Sequence, residues 1–270
     1  MRIGEMNPQN ILGKAYIEHV IFKELKYYSN FYSSLSFLVM NHVSKGLTAL
    51  LNLDTYTYSS IKGTIDSISD ILSKGRINDA YALLRKYYDS TIINVYTNLY
   101  LANNYCMDNL VVEKIDNWRK GVETLPEYRI ISKYIKDSPQ LSQLNNLLAI
   151  DSRYKKIRNR CNDNTHCNFY KNVLLNDNHI YNPNRVKWLT IFSQDLEALF
   201  IQHFAYIFTL NSHYMMSTDY MDCLDMGVEP EENSQDWVAP FIQEAFDKVI
   251  KTERADIAKW LKDNTCMNLL

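Results

Sequence analysis

Apolar residues return at intervals of three and four along most of the chain, the spacing of one buried helical face. Ile17, Val20, Ile21, Phe22, Leu25 and Tyr28 predict helix over residues 14–52, divided in two by the polar stretch 41–45 and Gly46. Residues 53–60, rich in Asp, Thr, Tyr and Ser, read as a loop, and 61–74 as a short amphipathic helix closed by Gly75. Ala80, Leu84, Tyr87, Ile92, Val95 and Leu99 mark a strong helix over 77–102, with Asn78 and Asp79 placed for its first turn. Within it Arg85 and Asp89 stand four apart, the spacing of a surface ion pair of small value. Shorter helices follow over 108–120, 126–136 and 139–150. A helix over 151–162 comes next, then a loop over 172–184. Leu189, Phe192, Leu196, Leu199, His203, Ile207 and Leu210 trace a second strong helix that begins near Asn184 and reads on towards Cys223. His203 sits in that stripe as a satisfied core histidine. An acidic loop over 227–234 leads to a last helical segment, 236–263, interrupted at Pro240.

Composition turns this pattern into a fold class. Seven glycines and six prolines in 270 residues are too few for a turn-rich sandwich, and no glycine-rich phosphate loop is present. The chain therefore reads as all-α, one helical domain over 1–270, with no internal repeat or flexible linker. Five cysteines without a paired spacing suit a reduced, cytoplasmic setting. Residues 1–14 lack the apolar core of a signal peptide. The most hydrophobic window, 191–210, contains Asp195, Glu197, Gln202 and His203, so it reads as a buried helix face and no membrane partner is expected.

Charge is unevenly spread. Between Trp188 and Asp247 there are eleven acids and no Lys or Arg, so that block carries −11; the net charge of −2 leaves +9 for the rest. A basic body of this kind can meet a polyanion, while the acidic block can repel one or pair with a partner.

The candidate chemistry lies in one stretch. Arg153, Lys155, Lys156, Arg158 and Arg160 fall within eight positions, and Asn162, Asp163, Asn164, Thr165 and His166 follow. If the helix ends near Asn162 and the chain turns, Arg160 and His166 face one pocket. Histidine is the side chain whose ordinary pKa, about 6.5, suits proton transfer near neutrality. Arg160 or Arg158, Arg160 by preference, offers a planar fork of donors to a phosphate. The pair suffices for metal-free RNA cleavage: histidine takes the ribose 2′-OH proton, that oxygen attacks the adjacent phosphorus, and arginine stabilises the phosphoryl charge. Asn162 shares a face with Arg158 and is placed to position a phosphate or the histidine. Asn159, Asp163, Lys155, Lys156 and Arg85 are candidate RNA contacts. Tyr154, Phe169 and Tyr170 interleave with the basic residues and suit base stacking, although aromatics in a bundle are more often core. The same stretch also fits a basic, solvated helix end capped by Asn and Asp. Cys161, His166 and Cys167 are metal-ligand types, but no second pair stands at zinc-finger spacing, and no metal or cofactor is expected. No G-x-S-x-G elbow appears.

Arg160 and His166, with five residues between them, resemble the Arg-x4-6-His motif of the HEPN ribonucleases. Ala82-Leu83-Leu84-Arg85 is similar to a helix of several HEPN-like families. The resemblance covers roughly residues 60–215, leaving extra N-terminal helix and an acidic C-terminal extension, 216–270, outside it. It departs in detail: Cys161 follows Arg160 where the family often has Asn, Asp or His, whereas Arg158 is followed by Asn159 but has seven residues between it and His166, which is too long for the motif. The resemblance implies an all-helical bundle that forms a homodimer, with two motifs meeting in a composite cleft. It implies a metal-independent endoribonuclease, a toxin or anti-phage abortive-infection effector with an antitoxin or sensor partner. The competing expectation is a non-catalytic helical module that binds partner proteins or RNA.

Overall fold

The computed structural model describes residues 12–42, 52–177 and 182–270. The described residues form helices and turns with no strand, so the protein is all-α. Long helices carry the fold: α1 (Ile21–Leu38), α2 (Leu53–Ser73), α3 (Ile77–Asn104), α4 (Arg153–Thr165) and α5 (Arg185–Leu210). The chain divides into two compact units. The first comprises Met1–Asn30, Ser60–Asp89 and Ser152–Phe200; the second comprises Phe31–Ser59, Ser90–Asp151 and Ile201–Leu270.

In the first unit the apolar stripes are buried as the periodicity requires. Ile21 and Leu25, Ile61, Ile65 and Ile68, Tyr81 and Leu84, Ile157, and Leu189, Phe192 and Leu196 are each at most 1% exposed. Each such side chain removed from water contributes about 1.5–3 kcal/mol. Aromatic geometry fixes the packing: Tyr28 stacks on Phe200 at 4.3 Å between ring centres, and Tyr81 meets Phe192 edge-on at 4.9 Å. Gly75 ends α2 at φ +80°, with the Leu12 side chain against the place a Cβ would occupy, so glycine is favoured there.

The second unit is built around a buried polar chain. His203 Nε2 donates to Asn94 Oδ1 at 2.9 Å, because a carbonyl oxygen can only accept. Its Nδ1 therefore accepts from the Tyr32 hydroxyl at 2.7 Å. Asn94 and Asn98 donate to Asp54 Oδ1 at 2.7 and 3.0 Å, and the Tyr214 hydroxyl donates to Asp54 Oδ2 at 3.0 Å. His203 is the satisfied core histidine its stripe predicts. Burial alone lowers its pKa to about 3, and burial raises that of Asp54 to about 6 despite its three donors.

The helix expected over 108–120 begins at Glu113, residues 172–176 of the expected loop are helical, and four further boundaries differ from the pattern. The polar run 53–60 is the first turns of α2, not a loop. Asn52 Oδ1 caps it by accepting from the Asp54 N–H at 2.8 Å, and the Asp54 carboxylate joins the buried chain, while Tyr56, Ser59 and Ser60 stay exposed. α5 stops at Leu210 and does not run to Cys223; Asn211 turns out and donates to Asn98 at 2.8 Å. Pro240 opens the last helical segment rather than interrupting it, as a residue without an N–H can at a first turn. The break comes at Arg254. The fourth difference, in α4, bears on the site. The second helix expected within 14–52 falls mostly outside the described residues.

Candidate functional site

The helix 151–162 of the pattern is α4, and it runs one turn further, through Thr165. Asn164 and Thr165 bond back to the Arg160 and Cys161 carbonyls at 2.9 and 2.8 Å, so the Asn/Asp cluster extends the helix instead of ending it. The expected turn between Arg160 and His166 is therefore absent. Six residues of continuous helix set their side-chain directions roughly 120° apart.

The two arginines of α4 face different neighbours. Arg160 forms a two-pronged ion pair with Asp195 of α5: Nε donates to Oδ2 at 2.7 Å and Nη2 to Oδ1. The Asp195 side chain is 4% exposed, and the Tyr81 hydroxyl also reaches its Oδ2, at 3.4 Å. Burial pushes the Asp195 carboxyl above its ordinary range against the pull of Arg160, while Asp195 holds the guanidinium above its own. Arg158 turns to α3, where Nη1 donates to Asp89 Oδ1 at 2.9 Å and the guanidinium lies 5.9 Å from the Tyr88 ring centre. Arg85 Nε takes the other Asp89 oxygen at 2.8 Å, and its Nη1 donates to Asn162 Oδ1. Arg85, Asp89, Arg158 and Asn162 thus form one part-buried cluster, with Arg85 and Arg158 side chains 21% and 20% exposed. The Arg85–Asp89 pair is part of this cluster, beyond the simple surface pair its spacing suggests.

The remaining candidates are arranged around it. Lys155, Lys156 and Asn159 are exposed along α4. Asp163 holds the turn after the helix, accepting from Asn168 at Oδ1 and from Asn172 at its carbonyl, both at 2.9 Å. His166 caps α4 at its C-terminus and is exposed. It follows Asn162 by one turn and Arg158 by two, so these three lie on one side of the helix. Cys161 is buried and its thiol is pushed up to about 12, a neutral core group and no nucleophile. Among the described residues no three His, Cys, Asp or Glu side chains gather as a metal site, and no helix is long and apolar enough to cross a membrane.

Asp195 escapes sequence reading as a site residue, where it serves only to argue against a membrane span. A lone carboxylate in the apolar window 191–210 is the available signal, because a buried charge needs a partner. No family model, curated protein or solved structure matches this chain.

Proposed function

We propose that the chain is a metal-independent endoribonuclease of the HEPN kind, active as a homodimer, with His166 and Arg158 as the reacting pair, although the seven residues between them exceed the spacing of the motif that Arg160 fits. His166 takes the proton from a ribose 2′-OH, and the oxygen attacks the adjacent phosphorus. The bond to the 5′-oxygen breaks, the leaving oxygen takes a proton, and a 2′,3′-cyclic phosphate and a 5′-hydroxyl remain. Arg158 and Arg85 bind the phosphoryl oxygens, and Asn162 holds Arg85 in place.

The supporting observation is the Arg85–Asp89–Arg158–Asn162 cluster on the side of α4 that leads to His166. Asp89 accepts from both guanidinium groups there and Asn162 accepts from Arg85, so the cluster holds two arginine side chains in fixed positions near the surface. Arg160 is committed to Asp195 and acts in this account as a positioning residue that docks α4 on α5. Two copies of α4 meeting antiparallel near Asn162 set His166 of one copy against Arg158 of the other, since the two residues lie four positions either side of it. The toxin or anti-phage role, with an antitoxin or sensor that restrains it, belongs to the same proposal.

Mixing two inactive variants tests this arrangement. Arg158→Ala and His166→Ala proteins, each inactive alone, are expected to regain about a quarter of the parental cleavage when mixed and allowed to exchange. Half of the dimers are then mixed, and each mixed dimer has one of two sites intact. No recovery would place both residues in one chain's site.

A second reading rests on the Arg160–Asp195 pair and on Asp89, which together give each of Arg85, Arg158 and Arg160 a protein partner. Such arginines can serve purely to pack helices, leaving the exposed Lys155, Lys156 and Asn159 as a surface for a partner protein. Under that reading His166→Ala leaves every activity of the protein unchanged.

A further inference from the structure

The turn after α4 is held by several hydrogen bonds, and two aromatic rings stand out from it. Cys167 adopts φ +49°, its N–H bonds to the Asn164 carbonyl at 3.2 Å, and the Asn168 N–H bonds to the Asp163 carbonyl at 2.9 Å. These are the paired bonds of a Schellman turn. Asn168 and Asn172 both tie their amides to Asp163, and Asn78 of α3 donates to the Asn172 carbonyl at 2.9 Å. Asn78 and Asn172 are buried. On this fixed base Phe169 is 50% exposed and Tyr170 76% exposed, three and four residues beyond His166. The sequence pattern left these rings between core packing and base stacking. The third member of the group, Tyr154, has its hydroxyl buried. Lys171 Nζ lies 5.0 Å from the Phe169 ring centre, and Lys155 and Lys156 are exposed on α4.

We infer that Phe169 and Tyr170 are a stacking platform for an unpaired nucleobase, which makes single-stranded RNA the substrate class of the site at His166. The inference rests on the RNA-directed reading of α4. Every base presents a π face that an exposed ring can cover, and a base inside a duplex is already covered by its neighbours. The ammonium of Lys171, which lies over one face of the Phe169 ring, meets the phosphate that follows a base stacked on the open side of the platform. A rigid turn holds the rings in place before the strand arrives, so little ordering is lost on binding. A second copy of this chain or a partner protein is the other possible cover for these rings, and charge complementarity with the flanking lysines favours the nucleic acid.

The test uses the full chain carrying His166→Ala, which prevents turnover, and an RNA oligomer with 2-aminopurine in a single-stranded segment or in a duplex. Binding is expected to quench 2-aminopurine in the single strand and not in the duplex. Phe169→Ala/Tyr170→Ala on the same background is expected to abolish the quench and weaken binding roughly fivefold or more; Tyr170→Phe retains both. Both positions are exposed, so an unchanged thermal melt is expected to confirm folding. Unchanged affinity and quench in the double variant, or equal binding of duplex, overturns the platform. So does a double variant that loses only self-association in sedimentation, because the rings then face a second copy. If quenching follows the rings but the parent does not cut RNA, the cleavage reading fails and the platform stands. If single strands are cut at the parental rate without the two rings, only the platform fails.

Discussion

At the residue scale the site depends on where two carboxylates sit. Asp195 is almost fully buried and Arg160 is the cation that accompanies it, so truncating Arg160 leaves a buried charge alone. Arg160→Ala is expected to lower unfolding free energy by about 1–3 kcal/mol, discounted because the guanidinium is one-third exposed. Adding Asp195→Leu to that variant is expected to recover part of the loss, measured by urea denaturation. Arg158→Ala, whose carboxylate partner Asp89 keeps Arg85, is expected to cost under about 1 kcal/mol. The contrast separates the two arginines by stability before any activity is measured. Cys167 gives a further residue-scale expectation. A left-handed residue resists β-branching, so Cys167→Val is expected to destabilise by about 1–2 kcal/mol, while Cys167→Gly is neutral or stabilising.

At the element scale, the long apolar stripes of α3 and α5 were legible because a buried face repeats with the helical period. Polar runs were not, since Asp, Asn, Thr and Ser read as turn formers until something buries or back-bonds them. Residues 53–60 look like a loop, yet form the start of α2 because Asn52 caps it and Asp54 finds three donors. Asn164 and Thr165 look like a helix end, yet bond back to the turn before and carry α4 on to His166. Of the candidate site, the residues on α4 and Arg85 of α3 were legible, but the pairing of Asp89 with Arg158 and of Asp195 with Arg160 was not. The buried chain of α2, α3 and α5 also sets a pH dependence. His203 has a folded pKa of about 3, below its ordinary 6.5, so the stability tied to its neutral form is present above pH 6.5 and is lost as pH falls towards 3. Asp54, raised from 3.8 to about 6, acts oppositely: its contribution is full below 3.8 and is lost as pH rises through 6. His203 has the larger shift, and its loss between pH 6.5 and pH 4 is on the order of 3 kcal/mol. Asp54 offsets much of that loss between pH 6 and pH 4, so His203→Gln is expected to raise Tm at pH 4 relative to pH 7 by comparison with the parent; an unchanged difference would assign the acid sensitivity elsewhere.

At the scale of the whole molecule, a net charge of −2 conceals a basic remainder and a block of −11 between Trp188 and Asp247. If RNA is the ligand, its affinity rests on the lysines and arginines of α4 and its turn, and the logarithm of that affinity falls linearly with the logarithm of salt concentration. Lys155→Ala/Lys156→Ala is expected to reduce that slope by about 1–2 without altering sequence preference, as measured by fluorescence anisotropy across a salt series. The account as a whole rests on one reaction. Purified parent protein incubated with single-stranded RNA in EDTA is expected to yield fragments ending in 2′,3′-cyclic phosphate, and folded His166→Ala and Arg158→Ala proteins are expected to yield none. Parental and variant proteins that cut equally, or a parent that leaves the RNA intact, would contradict it.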